Sequence, residues 1–303
     1  MINYPPIAII CYKRAKHLSK LLLSLSQCNS ISKAKIYFFI DYPKDQKSQK
    51  GYNDVLNLIN KFDFSNFQSF QIIKRKKNFG LRNNVILGVN EVLKKHNNII
   101  VLEDDIEIIN FNFYEIMHSY LNIYELNKDI WHIASWNYPL IFNSDVIAWR
   151  IMECWGWATW RDKWVKAIFD PIEVKNKLSL NDKQIINLWG GRNTYKELTS
   201  NITGKMDTWA IMWLSNILIN KGMCISFKES LVINNGLDNS GSNCSSESNF
   251  IQEYDANFLP QKPSFKSIDI DHFSEIKVSE WYKKRRGGMI KRIVRRLKRI
   301  LKK

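Results

Sequence analysis

The sequence has little of what marks secreted, disulfide-bonded or zinc-binding proteins. Its five cysteines are odd in number and include no CxxC pair, which fits reduced thiols in a cytosolic setting better than a disulfide framework or a zinc site. No apolar stretch reaches the roughly 18 residues of a membrane span, and no basic segment precedes the first apolar run at Ile7–Cys11. We therefore expect neither a signal peptide nor a transmembrane span. The cysteines are Cys11, Cys28, Cys154, Cys224 and Cys244.

The positive charge is concentrated at one end of the chain. The formal net charge of +16 at first suggests a nucleic-acid-binding protein. Residues 281–303, however, contain twelve Lys and Arg residues and no acid, so this segment accounts for all but four of those charges. We expect a nearly balanced body over residues 1–280, followed by a basic tail over residues 281–303.

The composition indicates a packed globule. Hydrophobic residues make up 45% of the 303 residues and aromatic residues 13%, which is enough to bury a large core. Eleven tryptophans are present, and exposed tryptophans often form platforms for sugar rings. The length allows one large α/β domain or two small ones.

Short apolar runs alternate with helical patterns over the first 110 residues. The runs at 7–11, 36–40, 70–73 and 99–102 are separated by segments with helical spacing, the last of them at 81–93. This alternation predicts an α/β fold with a mostly parallel central sheet covered by helices on both faces. Further along, we expect a helix at 113–126, a strand at 131–136, a helix at 207–219 and a mobile Gly/Ser-rich loop at 237–248.

Charged residues follow several of the predicted strands. Arg14 follows the first strand, Asp41 the second, and Glu103, Asp104 and Asp105 the fourth. In open α/β sheets the ligand crevice lies at the carboxyl ends of the strands, so we expect these groups to converge there.

Three consecutive carboxylates at the end of a buried strand repel one another unless positive charge lies among them. Mg²⁺ or Mn²⁺ suits such a group, because these hard cations take one or two carboxylates and complete their shell with phosphate oxygens and water. A solvated acidic turn is the simpler alternative, and phosphatases and nucleotidyltransferases also have such strand ends.

The order of the motifs resembles a known family. The segment Asn78-Phe79-Gly80-Leu81-Arg82-Asn83-Asn84 is followed by Glu103-Asp104-Asp105 and then by Ala134-Ser135-Trp136-Asn137. This series resembles GT-A glycosyltransferases, most closely the β-1,2-N-acetylglucosaminyltransferase I family and its bacterial relatives from surface-polysaccharide loci. The resemblance runs from about residue 7 to about residue 235. It implies a GT-A fold over residues 1–280 and metal-dependent, inverting transfer of a sugar, hexosyl or N-acetylhexosaminyl, from a nucleotide-sugar, expected to be a UDP-sugar.

The resemblance also implies roles for the charged residues. Arg14 would contact the nucleotide, Asp41 the base, and Arg82 would lie near the diphosphate. Asp105 would be the direct ligand of Mn²⁺ or Mg²⁺, whereas Glu103 and Asp104 would face the donor sugar and the ribose. In the structural alternatives, Arg14 caps a loop and Arg82 is an exposed helix residue.

Two further elements match the family pattern. Trp155, Gly156 and Trp157 would shape the pocket for sugar and acceptor, although both tryptophans could equally belong to the core. Asp207, which precedes Thr208 and Trp209, would be the general base that takes the acceptor proton. An N-cap at the predicted helix start is the alternative for Asp207. Relatives often carry a His in the late Gly/Ser loop where this chain has Asn243, so the donor and the metal affinity stay open.

The basic tail has the pattern of an interfacial helix. Apolar residues in 289–303 recur every three to four positions, with Lys and Arg between them, and Trp281 and Tyr282 precede them. We expect residues 281–303 to bind an anionic membrane, with Trp281 and Tyr282 at the headgroups, on the cytoplasmic face of the cell membrane. The donor would then meet a glycan or lipid-linked acceptor of lipopolysaccharide or capsule synthesis. RNA or a partner helix is the alternative for the tail.

Two other functions remain open at this level. A nucleotidyltransferase would share the sheet and the metal, but it normally has a Gly-rich first loop, and residues 11–15 contain no glycine. An inactive, membrane-docked scaffold would not need Asp105 or Asp207.

Overall fold

The computed structural model describes residues 4–189, 194–238, 254–261 and 268–285. Ten strands and ten α-helices are described in these ranges. The strands are β1 (Ile7–Cys11), β2 (Lys35–Ile40), β3 (Ser69–Lys74), β4 (Asn98–Glu103), β5 (Ile106–Ile108), β6 (Ile130–Ala134), β7 (Val146–Trp149), β8 (Trp157–Trp160), β9 (Met223–Phe227) and β10 (Val232–Asn234). The helices are α1 (Ala15–Ser26), α2 (Gln46–Lys61), α3 (Gly80–Leu93), α4 (Phe113–Ile123), α5 (Arg161–Trp164), α6 (Pro171–Lys177), α7 (Leu180–Trp189), α8 (Tyr195–Ile202), α9 (Ala210–Ile219) and α10 (His272–Arg285).

A central eight-stranded sheet organises the protein. Its strand order is β3-β2-β1-β4-β8-β6-β9-β7, and β5 pairs with β10 in a separate two-stranded sheet. The first four strands in this order are parallel to one another, as are β6 and β9. The predicted α/β fold with a mostly parallel central sheet is therefore confirmed.

The second half of the sheet departs from simple alternation. β8 runs antiparallel to both β4 and β6, and β7 runs antiparallel to β9. Consequently the start of β8 and the start of β7 lie at the same sheet edge as the carboxyl ends of β1, β2, β4 and β6. We call this edge the catalytic edge below, after the role that the sequence analysis expects of it.

Local sequence explains the elements that hold the charged residues. β1 is buried along its whole length, and α1 buries Leu18, Leu21, Leu22 and Leu25 at helical spacing. α2 begins where the Asp45 carboxylate accepts a hydrogen bond from the Ser48 amide at 2.8 Å. Apolar burial thus fixes the sheet, while polar caps set where the helices begin.

The helix expected at 207–219 begins at Ala210. Asp207 therefore lies in the preceding loop, and the cap position is occupied by Trp209. The N-cap alternative for Asp207 is wrong. The loop expected at 237–248 is described only to Asp238, so Asn243 lies outside the described residues.

α10 packs along β7, the last strand of the sheet. The Asp271 amide donates to the Ala148 carbonyl at 2.7 Å, and Glu275 accepts from both the backbone and the guanidinium of Arg150. α10 also contains residues 281–285, the only described part of the expected tail; residues 286–303 lie outside the description. None of the described helices is long and apolar enough to cross a membrane.

Candidate active site

Parallel pairing brings the charged strand ends to one place. Cys11 pairs with Ile40, and Ile10 pairs with Glu103, so the carboxyl ends of β1, β2 and β4 lie side by side in the sheet. The residues that follow each strand are therefore neighbours at the catalytic edge. This convergence, expected from topology, is confirmed by the contacts described next.

The Arg14 guanidinium lies between two carboxylates. Its Nε donates to Asp104 Oδ1 at 2.9 Å, one terminal nitrogen also contacts that oxygen, and the other lies 2.9 Å from Asp105 Oδ2. The Tyr12 amide donates to the second Asp104 oxygen at 3.4 Å. Both carboxylates are buried, whereas Arg14 keeps some exposure. Arg14 therefore does more than cap a loop.

Negative charge exceeds positive charge in this cluster. Burial, reinforced by Asp105, raises the pKa of Glu103 to about 8. Burial also raises the pKa of Asp104 to about 6, although Arg14 opposes the shift. Burial disfavours the charged form of Arg14, yet the attraction of Asp104 and Asp105 raises its pKa above the usual value. Even with Glu103 protonated, the one guanidinium of Arg14 faces the two carboxylates of Asp104 and Asp105, so the site favours a further cation.

The donor set fits a hard cation that a ligand helps to hold. Among the described residues, no three His, Cys, Asp or Glu side chains are arranged to hold a metal ion by themselves. Asp105 Oδ1 is nevertheless buried without a hydrogen-bond partner, which is costly for a carboxylate oxygen. Mg²⁺ and Mn²⁺ are commonly bound by one or two carboxylates together with substrate phosphates and water. Asp105 fits this mode of binding.

A short segment missed by the sequence analysis borders Asp105. The Asn235 amide donates to the Asp105 carbonyl at 2.8 Å. A Cβ placed on Gly236 would lie 2.1 Å from Asp105 Oδ2, so only glycine leaves room for the carboxylate. The Asn234 side chain accepts from the Gly236 amide at 2.6 Å and holds the turn. The sequence signal was Asn-Asn-Gly just before the Gly/Ser-rich loop.

Arg82 and Asp207 form a second charged group. Arg82, in the first turn of α3, places Nε 3.0 Å from Asp207 Oδ1. The Asp207 side chain is half exposed, at 51%, and so is open to a ligand. Gly80 has φ +75°, and a Cβ there would lie 2.7 Å from Asp207 Oδ2. Gly80 is therefore required both by its backbone conformation and by the close approach of Asp207.

Asp41 holds the loop that carries Gly80. Its carboxylate accepts from the amides of Tyr42, Phe79 and Gly80 and from the Asn78 side chain, at 2.9–3.1 Å. Burial raises the pKa of Asp41, and these donors oppose the shift. Four donors fill the acceptor capacity of one carboxylate. These contacts hold Asp41 to its own loop, and its expected contact with the nucleotide base stays a prediction.

Trp157 belongs to the core. It is fully buried, and its ring lies 4.8 Å from the ring of Trp209 and 5.6 Å from that of His132. The burial of Trp157 matches the core alternative stated for it, and its expected role in shaping the sugar and acceptor pocket stays a prediction. The Trp157 ring supports that of Trp209. Trp209 follows Asp207 by two residues, and its side chain acts to lower the pKa of Glu103.

Trp155 and Gly156 lie at the catalytic edge. Gly156 has φ +68°, and a Cβ there would lie 2.3 Å from Ser135 Oγ and 3.4 Å from the Leu102 side chain. The loop therefore passes directly over the end of β4. Trp155 is partly exposed and packs edge-on against Trp136, with ring centroids 4.6 Å apart.

Comparison of the chain with protein-family models and with curated proteins gives no match. Among solved structures the chain is similar to S. aureus TarS, at 14% identity and a TM-score of 0.31 over 43% of this chain and 21% of TarS. It is also similar to TarS 1–349 in complex with UDP, at 13% identity and a TM-score of 0.32 over 43% of this chain and 34% of that chain. A third is the mannosyltransferase PcManGT from Pyrobaculum calidifontis in complex with GDP-Man and Mn²⁺, at 9% identity and a TM-score of 0.37 over 53% of this chain and 46% of that chain. The match spans less than half the length of each. The function proposed below therefore rests on the site itself.

Proposed function

We propose that this chain is a metal-dependent, inverting glycosyltransferase. Its donor would be a nucleotide-sugar, a UDP-sugar in the first instance, and its acceptor a glycan or lipid-linked glycan of bacterial surface polysaccharide. The enzyme would work at the inner face of the cell membrane, to which residues 281–303 attach it. The motif order that resembles GT-A enzymes motivates this assignment.

One observation carries the proposal. At the catalytic edge, a buried and incompletely neutralised acidic cluster has a carboxylate oxygen without a partner, and Asp207 lies half exposed in the loop next to it. Trp209 connects the two in the chain and in space, because it follows Asp207 by two residues and its side chain acts on the Glu103 carboxyl. A cation site beside an accessible base would suit transfer from a diphosphate donor.

The acidic cluster would bind the donor. Asp105 would hold the cation, which when bound supplies the positive charge that stabilises a diphosphate leaving group. Arg14 would keep Asp104 and Asp105 in position and present its remaining exposed edge to the nucleotide. Glu103, partly exposed at the strand end, would face the donor sugar. Arg82 would lie near the diphosphate from the other side.

Asp207 would act as the general base. The acceptor hydroxyl oxygen attacks the anomeric carbon while its proton passes to an Asp207 carboxylate oxygen. The bond between that carbon and the diphosphate oxygen breaks, and the diphosphate leaves with the electron pair. No enzyme nucleophile is needed for inversion. Arg82 would orient Asp207 through the 3.0 Å contact.

The test is a donor-hydrolysis and transfer assay with Mn²⁺ on the full chain. We expect slow hydrolysis of one nucleotide-sugar by the wild type and loss of activity on metal chelation. Asp105→Asn should lose binding of the nucleotide in the presence of Mn²⁺. Asp207→Asn should keep that binding but lose transfer by about 10²-fold or more. Asp129→Asn, an exposed acid at the opposite sheet edge, is the matched control.

Three results would count against the proposal. Equal Mn²⁺-dependent binding by wild type and Asp105→Asn would remove the cation assignment. Equal transfer by wild type and Asp207→Asn would remove the base. Release of pyrophosphate from a nucleoside triphosphate, with no turnover of any nucleotide-sugar, would indicate a nucleotidyltransferase.

A further inference from the structure

The exposed face of α10 carries apolar residues where a packed helix normally carries polar ones. Phe273 and Ile276 are 59% and 52% exposed, whereas Ser274, Glu275 and Ser279 are buried against the body. Val278 is buried as well, so α10 buries a mostly polar stripe and leaves part of its apolar surface exposed beside charged residues. Burial of Glu275 is explained by its ion pair with Arg150.

A neighbouring loop extends this apolar surface. Ile141, which follows β6 in the loop 139–142, is 84% exposed. Its carbonyl accepts from Lys277 Nζ at 2.9 Å, and the same ammonium group lies 4.6 Å from the centre of the Phe273 ring. Lys277 therefore joins the loop and the helix into one surface. We call Ile141, Phe273, Ile276, Lys277 and Lys284 the Ile141 face.

The charged residues in and beside the Ile141 face are mostly basic. Lys277, Lys283 and Lys284 occupy the exposed side of α10, with Glu280 as the one acid of that side among the residues described. A shallow cavity of about 440 Å³ lies between the loop and the helix, and Lys277, Glu280, Trp281 and Lys284 contribute to its lining. Exposed apolar groups among lysines complement an anionic lipid surface, in which alkyl side chains enter the interface and ammonium groups meet the headgroups.

The face also lies where the chain leaves the described structure. α10 starts beside the end of β7, through Asp271 and Glu275, and its last turns reach Tyr138. The Tyr138 ring lies 5.3 Å from that of Trp281 and 5.6 Å from that of Tyr282. Tyr138 follows the carboxyl end of β6, so the root of the basic segment is at the catalytic edge.

Aromatic contacts connect this root to the candidate active site. Tyr138 packs against Trp136 at 5.0 Å, and Trp136 packs against Trp155 at 4.6 Å, next to Gly156 over the end of β4. Trp281 and Tyr282 thus pack partly on the body, and their expected place at lipid headgroups stays a prediction. Residues further out on the same helix are more exposed and can also contact a membrane.

We infer that the Ile141 face is a second contact surface for an anionic membrane, separate from residues 286–303. Together the two contacts would hold the catalytic edge towards the bilayer, where a lipid-linked acceptor presents its hydroxyl. The inference that this contact orients the catalytic edge rests on the proposed function. The inference that the Ile141 face binds a membrane rests only on the exposure and charge of its residues.

The experiment measures partition of the full chain onto vesicles by sedimentation. Vesicles of phosphatidylcholine with phosphatidylglycerol are compared with phosphatidylcholine alone. The pair Ile141→Glu and Ile276→Glu should weaken binding to the anionic vesicles by about tenfold or more, equivalent to about 1.4 kcal/mol. The pair Ile141→Ser and Ile276→Ser, which adds no charge, should weaken it in the same direction.

The matched control adds the same charge elsewhere. Leu126 and Val165 are 80% and 69% exposed and follow α4 and α5 at the opposite sheet edge. The pair Leu126→Glu and Val165→Glu should bind vesicles as the wild type does. Donor hydrolysis in solution and the thermal midpoint of unfolding should not change in any of these variants. The hydrolysis assay therefore tests the proposed function, and vesicle binding tests the membrane surface independently of it.

Several outcomes would overturn the inference. One is equal vesicle binding by the wild type and both Ile141–Ile276 pairs, and another is absence of vesicle binding by the wild type. A third is a protein dimer in solution that the Ile141–Ile276 pairs dissociate while vesicle binding is unchanged. That result would assign the face to a second copy of the chain.

Discussion

A methyl group added at Gly80 tests the placement of the proposed base. Gly80→Ala puts a Cβ 2.7 Å from Asp207 Oδ2, whereas such contacts are ordinarily about 3.4 Å or longer. The half-exposed Asp207 carboxylate can yield by about 0.7 Å without disturbing the core, but its 3.0 Å contact with Arg82 is then lost or lengthened. Misplacement of a catalytic group on this scale costs up to about 10²-fold in rate. We expect kcat for transfer to fall by about 10- to 100-fold, or about 1.4–2.7 kcal/mol in the barrier.

Gly204 provides the control for backbone strain. Its φ of +70° matches the +75° of Gly80, and a Cβ there meets no atom within 4 Å. Alanine at either position should cost about 1–2 kcal/mol of stability, measured by chemical denaturation, because both adopt the left-handed conformation. Gly204 lies in the loop that leads to Asp207, so strain transmitted along the chain would also appear in this control. Equal transfer rates for the two variants would refute the placement of Asp207.

Further variants test other parts of the structure. Burial raises the pKa of Glu153 to about 7 from an ordinary 4.5. The contribution of Glu153 to stability is therefore fully present below pH 4.5 and is lost as the pH rises through 7, by about 3 kcal/mol in the limit. Glu153→Gln should flatten this dependence in urea denaturation at different pH values; an unchanged dependence would contradict it. Gly236→Ala should displace Asp105 and weaken Mn²⁺-dependent nucleotide binding in calorimetry by about tenfold, or about 1.4 kcal/mol. Trp157→Ala should cost about 3–5 kcal/mol of stability. Trp155→Ala should raise the KM for the acceptor with little loss of stability. Similar unfolding midpoints for these two variants would contradict the assignment of Trp157 to the core and Trp155 to the surface.

The first half of the fold could be predicted from periodicity. Each apolar run between helical segments became a parallel strand, because strands buried on both faces need little more than continuous apolar sequence. Parallel strands end at one edge, so the meeting of Arg14 with the carboxylates after β4 followed from topology alone. The antiparallel β7 and β8 were not predicted, since their direction depends on loop paths without a local signal.

Contacts between residues distant in sequence could not be predicted. The donors to Asp41 come from the backbone of the Phe79–Gly80 loop, and amide directions are not readable from residue types. Trp157 is fully buried, and a Gly-Trp motif does not reveal which ring faces the core. Gly236 was overlooked because its importance arises only when Asp105 is placed against it. Sequence motifs indicated the candidate site, whereas the contacts within it depend on tertiary packing.

The covering of β7 by α10 has a consequence for the protein's behaviour in concentrated solution. β7 ends the sheet, and the groups on its outer side are capped by the Asp271 amide and the Glu275 carboxylate. A chain cut before Asp271 would present an uncovered row of donors and acceptors, which invites pairing with a strand of another molecule. The C-terminal helix thus protects the protein against edge-to-edge aggregation, and shortened forms intended for crystallisation should retain it through Arg285.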